Sequence, residues 1–247
     1  MNDPYANLAE EYKKAKHHHP WRLYIEDFTL FELIGDLTGK TVLDLACGEG
    51  FYTRRIKQRG AARVVGVDVS QPMIELARAE ETNSPLGIEY VIQDATHLHL
   101  PICFDLVVAA YLLNHARTRE ELLAMCQAAS GSLKPGCRFV AVNNNAEQPV
   151  ESFSAMRKYG CMKSVAGKLE EGAPITITLF IEDRSFTFDD YYLSTQTYEW
   201  VLGSAGFREI RWHPPRLSPQ AETQFGKEYW AEFLNQPPLI FLECIKG

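Results

Sequence analysis

Three aspartates set the chemistry open to this chain. Asp44 stands at the end of the apolar run TVLDL, where a carboxylate can meet a cationic ligand group. The small residues ACGEG of 46–50 follow at once, and Gly48 and Gly50 permit backbone angles and close approaches that a side chain would block. Asp68 lies 24 residues further on, at the end of RVVGVD. An acid at the end of a second strand can accept both hydroxyls of a ribose. Asp94 follows IEYVIQ, where a short acid can accept a hydrogen bond from an exocyclic adenine amine. Taken singly, the glycine loop reads as a tight strand–helix turn, and Asp94 as a turn or cap residue. Taken together, the acids stand at the carboxyl ends of consecutive strands. Open α/β sheets bind ligands at that edge, so the set describes a nucleoside site.

Two other uses of such a loop fit less well. A dinucleotide fingerprint needs G-x-G-x-x-G, and here Thr53 stands where the third glycine belongs. Glu49 is also a poor neighbour for a pyrophosphate. A nicotinamide-dependent oxidoreductase and a non-catalytic cofactor-binding protein remain the remote alternatives. His115, just after a fourth strand, is the first candidate for a base, and His213 the second. A lone histidine is more often structural, and a heteroaromatic N–H of low pKa needs no protein base. Asn143, Asn144 and Asn145 follow a strand and are placed to contact substrate. Tyr191, Tyr192 and Trp212 form an acceptor pocket or pack under an insertion. The adjacent His17, His18 and His19 cannot all point at one ion, so no metal is expected. The six cysteines are dispersed with no C-x-x-C pair, which argues against zinc and against a disulfide scaffold.

The elements that must hold these residues follow from the apolar pattern. Residues 4–16 and 21–37 read as helices. Strand and helix then alternate: strand 41–45, helix 51–59, strand 63–67, and helix 71–80 with Ser70 as cap and Pro72 in its first turn. Strand 88–93 comes next. FDLVVAA of 104–110 is continuously apolar, as a strand covered on both faces must be. Helix 119–130, a turn at 133–136 and strand 138–143 complete the series. This alternation predicts an α/β fold with a doubly wound, mostly parallel seven-stranded sheet. After 143 the rhythm breaks. Residues 175–181 read as an antiparallel strand with 185–192 as its partner. Residues 195–204 form a helix closed by Gly206, 208–212 and 239–245 are the last strands, and 226–234 between them is helical. The expected organisation is one domain of residues 1–247. Within it, 1–40 form a helical lid, 41–143 a cofactor-binding core and 145–195 a substrate-covering insertion.

Composition narrows the function classes. Of 247 residues, 46% are hydrophobic and 23% charged, enough for a sizeable core. The net charge is −7 with scattered basic residues, so nucleic acid is a poor partner. No apolar run reaches the roughly 18–20 residues of a membrane span. The N-terminus lacks the apolar stretch of a secretory signal. A cytoplasmic protein acting on a small molecule, as monomer or homodimer, is the expectation.

The quoted segments resemble class I S-adenosylmethionine-dependent methyltransferases over roughly residues 41–142. VLDLACGEG resembles the first motif, with Ala46 in place of the usual first glycine. VVGVDVSQPMIELA, QDA, FDLVVAAYLLNHA and LKPGCRFV resemble the motifs that follow. The resemblance implies a layout for S-adenosylmethionine. Ala46 and Gly48 would line the methionine part, with Asp44 near its amino group. Asp68 would hold the ribose, and Met73, Asp94 and Ala95 would surround the adenine. Asn114 and His115 would face the sulfonium or the acceptor, with Tyr111 in the same loop. Tyr5 and Tyr12 resemble lid aromatics of small-molecule members, with Trp21 and Arg22 closing the lid, so that Tyr12 and Trp21 would touch the cofactor. HPWRLYIEDFTLFELIG and SFTFDDYYLSTQTYEWVLGSAGFREIRWHP resemble the azapteridine N-methyltransferases of the toxoflavin pathway. That implies a heterocyclic acceptor held by Tyr5, Tyr111, His115, Asn144, Tyr191, Trp212 and His213. O- or C-methylation of another metabolite is the alternative.

Overall fold

The computed structural model describes residues 13, 18–98 and 100–247. Tyr5, Tyr12, His17 and nearly all of the predicted first helix lie outside the described residues.

Strands β1 (Thr41–Leu45), β2 (Arg63–Asp68), β3 (Glu89–Ile92), β4 (Phe104–Ala110) and β5 (Leu133–Asn144) form the parallel part of the main sheet. A second, antiparallel sheet holds β6 (Cys161–Ser164), β7 (Pro174–Ile181) and β8 (Arg184–Tyr191) in that order. The chain then returns to the main sheet with β9 (Phe207–His213) and β10 (Leu239–Lys246). The seven-stranded order is β3-β2-β1-β4-β5-β10-β9, with β10 antiparallel to both neighbours. The order reverses between β1 and β4, and ligands of doubly wound sheets bind at such a switch point. The doubly wound, mostly parallel seven-stranded sheet expected from the sequence is present.

Strand alternation sends side chains to two cores. Val42, Val108, Val140 and Val142 face one side; Leu43, Leu45, Val107 and Ala141 face the other. Helices α1 (Phe28–Ile34), α2 (Phe51–Gln58) and α3 (Gln71–Asn83) lie before β4. Leu30, Ile34, Tyr52 and Ile56 pack on the first side. Helices α4 (Arg119–Ser132) and α5 (Thr195–Ser204) cover the second side through Leu122, Met125, Val201 and Leu202. The antiparallel sheet joins the first side: Ile175, Ile177 and Leu179 alternate inward against Trp21, Phe153, Trp230 and Phe233. Helices α6 (Pro219–Phe225) and α7 (Lys227–Asn235) complete that layer.

Several boundaries differ from the expected ones. The helix expected over 21–37 is a π-helical turn at Arg22–Asp27 followed by α1, and Gly35 at φ 70° ends it. The segment read as a turn at 133–136 is already strand, because β5 enters beside β4 with a register shift between Phe104 and Leu106. Ser70 sits at the N-cap of α3, but its hydroxyl makes no capping bond. β6 and the 3₁₀ segment Val150–Tyr159 have no counterpart in the predicted elements.

His19 ties the N-terminal segment to the antiparallel sheet. Its ring is buried, and Nε2–H donates to the Phe180 carbonyl at 2.7 Å. Burial pulls its pKa from 6.5 down to about 4. The folded chain keeps His19 neutral where the unfolded chain binds a proton. Stability is therefore expected to fall as pH drops from 6.5 towards 4, by roughly 2–3 kcal/mol from this group. Urea titrations of the parent and His19→Gln would check it, since the variant should lose that slope.

Candidate functional site

β1 delivers Asp44 to the switch point. It points to the same face as Val42 and is buried, and the Thr53 hydroxyl of α2 donates to its Oδ2 at 2.6 Å. The following loop turns sharply, with Ala46, Gly48 and Gly50 at φ 57°, 57° and 87°. A non-glycine residue at positive φ is strained, and such strain gathers at ligand sites. Asp68 then staples this loop to the next one: its carboxylate accepts Gly48 N–H at 2.8 Å and Ser70 N–H at 2.9 Å. Asp94 caps the short 3₁₀ turn Ala95–His97, accepting from Thr96 N–H at 2.8 Å and Thr96 Oγ1 at 2.7 Å. Both readings of Asp94 are thereby compatible, since one oxygen caps and the other stays available. The three acids end adjacent strands β1, β2 and β3 on one rim.

Tyr90 packs tightly against the loop and against β2. A Cβ on Gly50 would run into the Tyr90 hydroxyl, and one on Gly66 would meet Tyr90 at 2.9 Å and Cys47 Sγ at 3.0 Å. Gly50→Ala combines that clash with a positive φ. It is expected to cost roughly 1–3 kcal/mol, read as a lowered urea midpoint.

An adenosyl group fits this rim. Met73 is buried in the first turn of α3, while Val69 and Ile92, each about two-fifths exposed, offer apolar surface beside the two acids. At the end of β4, Asn114 is buried, and its Oδ1 accepts Asn144 N–H at 3.1 Å. Its Nδ2 has no partner among the described residues.

Next to this rim, between the two sheets, lies a narrow cleft, partly open to solvent. Trp21, Tyr111, Met156, Ile177, Leu179 and Phe188 wall it, and its polar groups come from Arg22, Asn144, Lys163 and Asp190. Tyr111 follows β4 at φ 64°, held by its N–H to the Val142 carbonyl at 2.8 Å. Its hydroxyl donates to Glu26, as does that of Tyr52. Glu26 is fully buried and bonds the Arg22 guanidinium at 3.0 and 3.1 Å. The same guanidinium lies 4.3 Å from the Trp21 ring and 5.1 Å from that of Tyr111. Burial, and then the Glu26 charge, push the Tyr52 hydroxyl well above its ordinary pKa.

At the other end of the cleft, Asp190 of β8 accepts Asn144 Nδ2 at 2.6 Å and lies 3.3 Å from His115 Nδ1. Burial raises the Asp190 pKa. Lys163 of β6 donates to the Pro238 carbonyl at 2.5 Å, and burial lowers its pKa to about 8.

Of the substrate residues expected from the sequence, Tyr111 and Asn144 line the cleft, and His115 touches it through Asp190. Trp21, expected at the cofactor, is a wall of this cleft. Tyr191, Trp212 and His213 are displaced from it. Tyr191 alternates with Asp190 and stacks under Arg117, 5.0 Å away. Trp212 faces the second core, against Tyr198 and Glu199. His213 pairs with Glu243 at 3.3 Å on the outer strands. Tyr192 packs against the first core. Glu26, Lys163 and Asp190 were missed: they lie far apart in sequence, and only tertiary contact brings Lys163 and Asp190 to the cleft and Glu26 behind its Arg22 and Tyr111. Among the described residues no cluster could hold a metal, and no helix is long and apolar enough to cross a membrane.

Comparison with known proteins agrees with this geometry. Residues 42–136 match the model of a methyltransferase domain. Over 187 residues the chain is 26% identical to the N-demethylindolmycin N-methyltransferase of Streptomyces griseus, covering 74% of this chain and 77% of that enzyme. It is 33% identical to the ubiquinone biosynthesis O-methyltransferase of Coxiella burnetii over 112 residues, 44% of this chain and just under half of that enzyme. The fold is similar to that of the CcbJ methyltransferase from Streptomyces caelestis, with a TM-score of 0.70 at 17% identity, covering 99% and 97% of the two chains. The magnesium protoporphyrin IX methyltransferase of Synechocystis PCC 6803, solved with bound SAH, shares the fold with a TM-score of 0.60 at 17% identity, covering 98% and 96% of the two chains. Residues 42–136 therefore carry a methyltransferase domain, and the chain has the fold of solved methyltransferases.

Proposed function

We propose that the chain methylates a ring nitrogen of a small planar heterocycle of the toxoflavin-type azapteridine class. The observation that carries this reading is the apolar cleft beside the carboxyl ends of β4 and β5, walled in part by Trp21, Tyr111 and Phe188 and carrying a few buried polar groups. The N-demethylindolmycin relative adds weight to nitrogen as the acceptor atom. In this reading residues 1–40 form a lid and 145–195 cover the acceptor, within a single domain.

Asp44 would hold the amino group of the cofactor, with Ala46 and Gly48 along its methionine part. Asp68 would hold the ribose, and Met73, Asp94 and Ala95 the adenine. The unpartnered Asn114 Nδ2 would face the reacting end. The cofactor supplies an already activated methyl on a cationic sulfur, so the chain's task is mainly positioning. Holding reactants at near-attack distance is worth roughly 7–11 kcal/mol. The Trp21 and Tyr111 faces tolerate a cation as its charge disperses. Asp190 at Nδ1 orients His115, which would take the ring N–H proton where one must leave.

Saturating S-adenosylhomocysteine at about 100 times its Kd should stabilise the chain by about 2.7 kcal/mol and raise Tm by roughly 5–10 °C, while NAD leaves it unchanged. Incubation with S-adenosylmethionine and demethylated azapteridines, followed by mass spectrometry and NMR of the product, should give an N-methyl group. Methylation confined to oxygen of phenolic acceptors would overturn the nitrogen assignment.

A further inference from the structure

Lys163 and Asn144 share one cavity, and their polar atoms are of opposite kind. The Asp190 carboxylate can only accept, so Asn144 must turn Nδ2 towards it, at 2.6 Å. That leaves Asn144 Oδ1 as the amide's acceptor in the cleft, with no partner among the described residues. Lys163 has three N–H donors, and Pro238 takes one. Lys163 and Asp190 feel each other's charge, yet no ion pair joins them. Buried opposite charges held apart are costly unless something polar comes between them.

We propose that Lys163 and Asn144 read one edge of the acceptor, Lys163 donating to a carbonyl oxygen and Asn144 Oδ1 accepting from an adjacent ring N–H. The substrate class is then a planar heteroaromatic lactam. Asp190 is the positioning residue that fixes the amide's orientation. This rests on the methyl-acceptor reading of the cleft and goes further by naming the edge that is recognised. The apolar walls accept any flat ring, so selectivity resides in this one pair.

The test uses quinazoline-2,4-dione, which carries the edge, and quinoxaline, a flat bicycle that lacks it. Binding of each is measured by calorimetry with S-adenosylhomocysteine present. The parent is expected to prefer the dione by about tenfold or more. Lys163→Met and, separately, Asn144→Ala should each bring that preference below about threefold while quinoxaline binding is kept. Lys163→Gln, which retains a donor, should restore part of it. Asp190→Asn should lose preference as well, since its amide no longer dictates how Asn144 is turned. No preference in the parent, or an unchanged preference in the folded Lys163 and Asn144 variants, overturns the proposal. If the variants still methylate ring nitrogens with unchanged preference, only the edge assignment fails. If the parent binds S-adenosylhomocysteine but neither bicycle, the heterocycle reading fails with it.

Discussion

Asp68→Ala is expected to weaken S-adenosylhomocysteine binding by about three orders of magnitude. The carboxylate already accepts Gly48 N–H and Ser70 N–H. A carboxylate has about four lone-pair sites, and in the proposed pose Asp68 would turn two of them to the ribose hydroxyls. Two hydrogen bonds to a charged group are worth roughly 3–6 kcal/mol together. Their loss alone spans about 10² to 10⁴ in affinity. The substitution also frees the loop of residues 46–50 from the loop after β2, so the strained backbone at Ala46 loses its tether. The ligand-free variant should be less stable by about 1–3 kcal/mol, the cost of two unsatisfied amides. Asp68→Asn keeps one carbonyl oxygen and should fall between parent and Asp68→Ala. Calorimetry with S-adenosylhomocysteine measures all three, and a Kd for Asp68→Ala within threefold of the parent would show that the ribose lies elsewhere.

The rim containing Asp68 was legible because it is local. Each acid follows its own strand within a residue or two, and the buried parallel strands announce themselves as apolar runs such as FDLVVAA. The alternation of strand and helix then places those strand ends on one edge of a parallel sheet, and three local signals become one site. The acceptor cleft obeys no such rule. Its walls come from the N-terminal segment, the end of β4, the end of β5 and the second sheet, which lie far apart in sequence. Lys163 sits on a four-residue strand, CMKS, too short to show a period. Trp212 and His213 looked like pocket residues because they end a late strand. β9 is the outer strand of the sheet, and alternation turns Trp212 to the opposite face. Ser70 stands at the expected cap position, but its hydroxyl makes no capping bond, while its N–H donates to Asp68.

Glu26 is the residue whose loss should damage the fold most. It is fully buried and receives the Arg22 guanidinium and the Tyr52 and Tyr111 hydroxyls. Glu26→Leu leaves the Arg22 charge buried without its carboxylate and two phenols without their acceptor. Breaking a buried pair from one side costs roughly 3–5 kcal/mol, to be seen as a lower urea midpoint. Glu26→Gln keeps the volume and one acceptor oxygen and should lose less. The double variant Arg22→Met with Glu26→Leu separates charge from packing. Replacing a whole buried ion pair with apolar side chains of similar size is often neutral or stabilising, so most of the lost stability should return. Return should be incomplete, because the Tyr52 and Tyr111 hydroxyls have lost the Glu26 carboxylate. Acceptor handling should not return, since Tyr111 at its strained φ and Trp21 under the guanidinium are walls of the cleft. A stable double variant with a raised acceptor KM would mean that the ion pair shapes the cleft rather than holding the fold. A Glu26→Leu variant as stable as the parent would remove the buried charge from the account altogether.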